Sequence, residues 1–191
     1  MTKLSTLSTL ALLLLVIIPI VSSERQYTSL LSYDSSVSST SKVAITHNGK
    51  YIAVGGASGK LEILKLENYQ LSSLGLIKDD SSIGTFLNLK FSNDGSRLVG
   101  CTIRKTFIFD RNQVTDQYEV IWEFAVTFTT PSCSISGDGQ YIALVDGIFG
   151  GVYKWNSTSF QFSGYHVEVL PNIRHIDFTS DANYIIFLAQ P

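Results

Sequence analysis

Beyond its first 23 residues the chain repeats a pair of apolar patterns. One segment alternates polar and apolar positions: Val43 and Ile45; Leu87, Leu89 and Phe91; Cys133 and Ile135; Ile176 and Phe178. A short polar turn follows each. Then comes a segment apolar at nearly every position, such as 51–54 and 184–187. Alternation predicts a strand with two unlike faces, and continuous apolarity predicts a strand buried on both. Residues 45–54, 91–100, 135–144 and 178–187 align without gaps, placing Gly49, Gly95, Gly139 and Ala182 in register, 46, 44 and 43 residues apart. Asn48-Gly49, Asp94-Gly95 and Asp138-Gly139 read as hairpin turns, because these residue types tolerate positive φ. Each period then holds a third strand (60–66, 106–110, 151–155) and a fourth (71–77, 118–126, 162–170). No helical periodicity follows residue 23.

Four strands per period of roughly 40–45 residues is the pattern of a β-propeller blade, buried on both faces between its neighbours. The expected fold class is therefore all-β: a β-propeller of four-stranded antiparallel blades, about three full blades plus a partial one. The repeats span about 41–77, 86–126, 131–170 and, in part, 174–191. With a leading strand near 27–33 the count reaches fifteen strands, one short of four blades. Three readings stay open: a truncated product, a ring completed by self-association, or a compact four-blade ring.

Asn93-Asp94-Gly95 and Gly137-Asp138-Gly139 share the Asp-Gly hairpin. Phe109-Asp110 and Trp155-Asn156 close third strands with an aromatic and a polar residue, where the first repeat has Leu66-Glu67. In these residues the chain resembles WD-repeat β-propellers, over about residues 26–191. It departs from them in having no Gly-His dipeptide before a first strand. It also carries Lys60, Ile103 and Phe149 where the family places an Asp six residues before the closing residue. The family's buried His–Asp network is thus absent, and lactonase-like and quinoprotein-like propellers share the hairpin. The resemblance implies a scaffold that presents loops to a protein partner.

Residues 1–23 change the expected compartment. Lys3 precedes an apolar run at 10–18, Pro19 breaks it, and the small residues Val21 and Ser23 sit three and one before Glu24. That is the layout of a secretory signal peptide, removed after Ser23. The alternative is an uncleaved anchor, which would bring the membrane in as a partner. Either way the propeller, 24–191, is expected outside the cytosol: secreted or in the secretory-pathway lumen, or else membrane-anchored.

Composition narrows the chemistry. A formal charge of −2 and 16% charged residues give no basic field for phosphates, so nucleic acid is not an expected partner. Two cysteines are too few for a disulfide scaffold or a four-thiolate zinc site. Cys101 ends a second strand and Cys133 begins the next repeat, so they are the one candidate disulfide; buried free thiols are the alternative. His47, His166 and His175 lack metal-ligand spacing, and the Asp-Gly pairs lack the ligand series of a calcium loop. The 55–59 run has no helix after it and reads as a turn, not a phosphate cradle. No nucleophile elbow, phosphate loop or dinucleotide fingerprint occurs. No catalytic residue, cofactor or metal is expected.

Asn156-Ser157-Thr158 is an N-glycosylation sequon in an expected loop, and 35–41 is a Ser-rich connection. The expected binding surface is the unrepeated loops 78–85, 112–117 and 147–151. Ile148 and Phe149 stand out as two large apolar residues in a turn. The expected function is a non-catalytic, protein-binding module of the secretory pathway or cell exterior. A truncated non-functional propeller and a secreted propeller hydrolase are the alternatives.

Overall fold

The computed structural model describes residues 32–37, 39–125, 131–146, 149–168, 173–179 and 181–189. The leader 1–23, residues 27–31 of the expected leading strand, and Ile148 lie outside them. Three four-stranded antiparallel sheets and one two-stranded sheet follow one another along the chain. The first holds β1 (Thr40–Ile45), β2 (Tyr51–Gly56), β3 (Lys60–Glu67) and β4 (Gln70–Asp79). The second holds β5 (Phe86–Phe91), β6 (Arg97–Thr102), β7 (Lys105–Arg111) and β8 (Tyr118–Ala125). The third holds β9 (Pro131–Ile135), β10 (Tyr141–Asp146), β11 (Phe149–Trp155) and β12 (Phe160–Glu168), and the fourth β13 (Ile173–Phe178) and β14 (Ile185–Ala189). Within each sheet every strand pairs with the next in sequence, which keeps connections short. The helical segments among the described residues are two three-residue 3-10 turns, Ala57–Gly59 and Ser81–Ile83, and none is long and apolar enough to cross a membrane.

The sheets stack face to face, β1 beside β5, β5 beside β9, and β9 beside β13. An apolar cluster fills each seam. Ala53, Leu61 and Ile63 meet Phe86, Leu89 and Phe91 in the first. Val99 and Cys101 meet Cys133 and Ile135 in the second, and Ala143 and Val145 meet Ile176 and Phe178 in the third. Strands β2 and β6 are buried along their whole length, as their continuous apolarity requires. The fold is an all-β propeller arc of three full blades and a partial one.

Three expectations are corrected. Val43 and Ile45 are exposed; their equivalents Leu89 and Phe91, Cys133 and Ile135, and Ile176 and Phe178 are buried because a preceding blade covers them, and among the described residues no blade lies against that side of blade 1. The leading strand reduces, among its described residues, to the single bridge residue Tyr33. Residues 33–37 instead cross the outer part of the open face of blade 1, where Val37 packs with Ile52, Val54 and Leu64. Phe149 is not in a flexible turn: it opens β11, paired with Asp146 on one side and Glu168 on the other. Pairing on both flanks satisfies its backbone groups, which a turn would leave to water.

Candidate functional site

The four hairpins share one hydrogen-bond design. Thr46, Ser92, Ser136 and Thr179 each accept the N–H of the residue five positions on, at or just before the start of the next strand, at 2.9–3.1 Å. Each hydroxyl donates in turn to Asn48, Asp94, Asp138 or Asp181, at 2.5–2.8 Å. The same oxygens accept the N–H two residues on, from Lys50, Ser96, Gln140 and Asn183. Burial opposes the charge of Asp94, but the bonds from Ser92 and Ser96 outweigh it and hold its pKa below the usual carboxylate range. These carboxylates serve the turn. Among the described residues no group of three His, Cys, Asp or Glu could hold a metal ion, and His47 and His175 are exposed.

The first strands line the inner side of the arc, and a polar ladder crosses them. The Lys90 ammonium on β5 pairs with the Asp177 carboxylate on β13 and donates to Ser134 Oγ on β9 at 3.2 Å. Ser134 Oγ donates to Asp177 Oδ1 at 2.8 Å. Burial works against the charge of Asp177, yet Lys90 and Ser134 prevail and lower its pKa. A carboxylate so stabilised is a weak base at neutral pH. The ladder joins three blades.

One rim is formed where third strands turn into fourth strands, and it carries exposed apolar side chains. Asn68 and Tyr69 make the two-residue β3–β4 turn, with φ of 51° and 59°. Both central positions of such a turn are left-handed, which suits Asn and strains a Tyr by about 1 kcal/mol. Tyr69 is nonetheless 86% exposed, and Val114, at the tip of the β7–β8 loop, 93%. That loop is anchored. Asp116 Oδ1 accepts from Tyr51 Oη at 2.8 Å and from Arg111 Nη1 at 2.9 Å, and Lys65 Nζ lies 3.0 Å from Oδ2. The Tyr51 hydroxyl first, then Lys65 and Arg111, hold the Asp116 carboxyl down at about 2. Tyr51 and Lys65 belong to blade 1, so the loop of blade 2 is tied to its neighbour. Nothing in the composition of 112–117 reports that tie, and Tyr69 was not a sequence candidate. The one signal available was Asn68 in a two-residue turn.

The remaining sequence candidates fall differently. In the 78–85 stretch Lys78 and Asp79 belong to β4, Ile83 alone is buried, and Arg104 Nη1 donates to the Ser82 carbonyl at 2.9 Å. Cys101 and Cys133 are brought together as buried thiols. Burial, then the hydrogen bond with Cys101, pushes the Cys133 thiol well up, so it stays protonated. Asn156 is exposed in the β11–β12 turn, where its Oδ1 accepts from the Thr158 hydroxyl at 2.9 Å and from the Ser159 N–H at 2.9 Å. Glu62 escaped the sequence reading. It stands where blade 2 has Phe107, and its buried carboxylate accepts from Tyr33, Ser35, the Ser36 N–H and Ser73. Burial opposes that charge, and the Ser35, Ser73 and Ser36 bonds overcome it, leaving the pKa lowered.

No protein-family model matches the chain, and no curated protein matches it by sequence. Solved structures do match in fold. The β-propeller domain of Cps50 (Swd1) from Myceliophteria thermophila superposes with a TM-score of 0.60 at 15% identity, over 78% of this chain and 47% of that one. A 6-phosphogluconolactonase-like protein from Bacteroides uniformis gives 0.63 at 17% identity, over 85% and 47%. One from Bacteroides fragilis gives 0.63 at 12% identity, over 76% and 44%. The chain thus spans about half the length of the propellers it matches. At these identities the likeness is one of fold: the chain is a divergent β-propeller, of an architecture shared by WD-repeat and lactonase-like proteins.

Proposed function

We propose that the chain is a non-catalytic protein-binding module that works outside the cytosol. The observation that supports this reading is the rim, where Tyr69 and Val114 hold apolar surface in solvent on tightly built turns. Aromatic anchors on a rigid frame bind at low entropic cost. The likeness to the Swd1 propeller domain agrees with a binding role. The test is capture from the extracellular fluid of the source cells by wild type and by the Tyr69→Ser/Val114→Ser variant. Proteins retained by the first and lost by the second, with unchanged thermal melting of both, are the expected result. Identical retention would overturn the rim as the binding surface.

The Bacteroides likenesses favour one second reading, hydrolysis of a phosphorylated sugar lactone, with Lys90, Ser134 and Asp177 as the polar groups on the inner side of the arc. Incubation with 6-phosphogluconolactone separates the two. A rate equal to spontaneous hydrolysis is expected. Turnover that disappears in Asp177→Asn would replace the binding reading with the enzymatic one.

A further inference from the structure

Each seam between blades obeys one rule. Two positions on the second strand of a blade meet two positions on the first strand of the next. Ala53 packs with Leu89 and Phe91, and beside it Gly55 lies so close to Phe86 and Leu89 that a Cβ there would sit 2.9–3.0 Å from them. Val99 and Cys101 meet Cys133 and Ile135, and Ala143 and Val145 meet Ile176 and Phe178. The repeat continues the series in both directions. Ile186 and Leu188 of β14 are the next outgoing pair, and they are 59% and 63% exposed. Val43 and Ile45 of β1 are the matching incoming pair, and they are 40% and 51% exposed.

Both open faces are also narrower than a full blade. Residues 33–37, held by Glu62, cover only the outer part of blade 1's face, leaving its first strand open. The blade that carries Ile186 and Leu188 is two strands wide among the described residues. A narrow sheet thus has a partly covered face of the right chemistry to pack on.

We propose that two copies of this chain stack head to tail, Ile186 and Leu188 of each against Val43 and Ile45 of the other, closing a ring by repeating the seam already built three times within the chain. A head-to-tail contact closes into a ring when its rotation allows. Neither face includes Tyr69 or Val114, so the outcome is independent of the partner reading.

The test is the mass of the whole chain in solution by light scattering, with two variants whose changes lie at exposed positions: Ile186→Lys/Leu188→Lys and Val43→Glu/Ile45→Glu. Wild type is expected at twice the chain mass and each variant alone at the chain mass, all three melting cooperatively. An equal mixture of the variants is expected to regain the dimer, because one seam is then native and the other sets Lys against Glu. A folded wild type that stays monomeric at tens of micromolar overturns the proposal. So does an open series of higher oligomers. A Val43→Glu/Ile45→Glu variant that still dimerises also overturns it, since that result means two β14 strands meet each other.

Discussion

Ala182 holds in the fourth hairpin the left-handed position that glycine holds in the other three, with φ of 60° against 71°, 67° and 69° at Gly49, Gly95 and Gly139. A Cβ in that region costs about 1–2 kcal/mol, less the entropy that glycine gives back to the unfolded chain. Ala182→Gly should therefore stabilise the protein, by about 0.5–1 kcal/mol in a urea titration. The reverse change should show how each turn is seated. Gly49 has nothing within 4 Å of an added Cβ, while at Gly95 the Cβ would lie 2.7 Å from Thr46 Cγ2 of blade 1. Gly49→Ala should cost about 1 kcal/mol, and Gly95→Ala clearly more. Equal losses would mean that the contact between the two turns carries no energy. The glycine positions were legible in the sequence because φ is a local requirement. The Thr46 contact was not, because its two ends lie 49 residues apart.

Between elements the charged side chains act as ties. Asp116 binds a loop of blade 2 to Tyr51 and Lys65 of blade 1. Its carboxyl sits at about 2 in the folded protein, against about 3.9 in an unfolded chain. The folded value is the lower one, so ionised Asp116 contributes its full stabilisation above about pH 4, and that contribution is lost as pH falls towards 2. Melting temperatures measured from pH 6 to pH 2.5 should show wild type well above Asp116→Asn at pH 6 and the gap closing below pH 4. A gap that stays constant with pH would assign the tie to packing. The strands themselves were legible, since alternation and continuous apolarity report which faces are covered. The ends were less so. Phe149 looked like a turn residue beside Gly147, Gly150 and Gly151 until its pairing to Asp146 and Glu168 placed it in β11. The loops 78–85 and 112–117 likewise looked alike in polarity, yet one buries Ile83 and the other exposes Val114.

At the scale of the molecule, the proposed site of action rests on residues 1–23. N-terminal sequencing of material recovered from the medium of a secreting host should begin at Glu24; retention of Met1 would favour the anchored form. The sequence by itself determined what local chemistry controls: the period of the repeat, the four turns, the strands buried on both faces, and through them the propeller class. Each depends on residues close together in the chain, so pattern suffices. The tertiary structure decided what depends on which blade neighbours which. It made Val43 and Ile45 surface and their equivalents core, set the Cys101 and Cys133 thiols side by side, and turned Glu62 into an anchor for residues 33–37. It also left Tyr69 and Val114 in solvent. The same residue type at the same repeat position is core or surface according to whether a second blade lies against it, because burial is a property of the pair of faces and not of either strand alone.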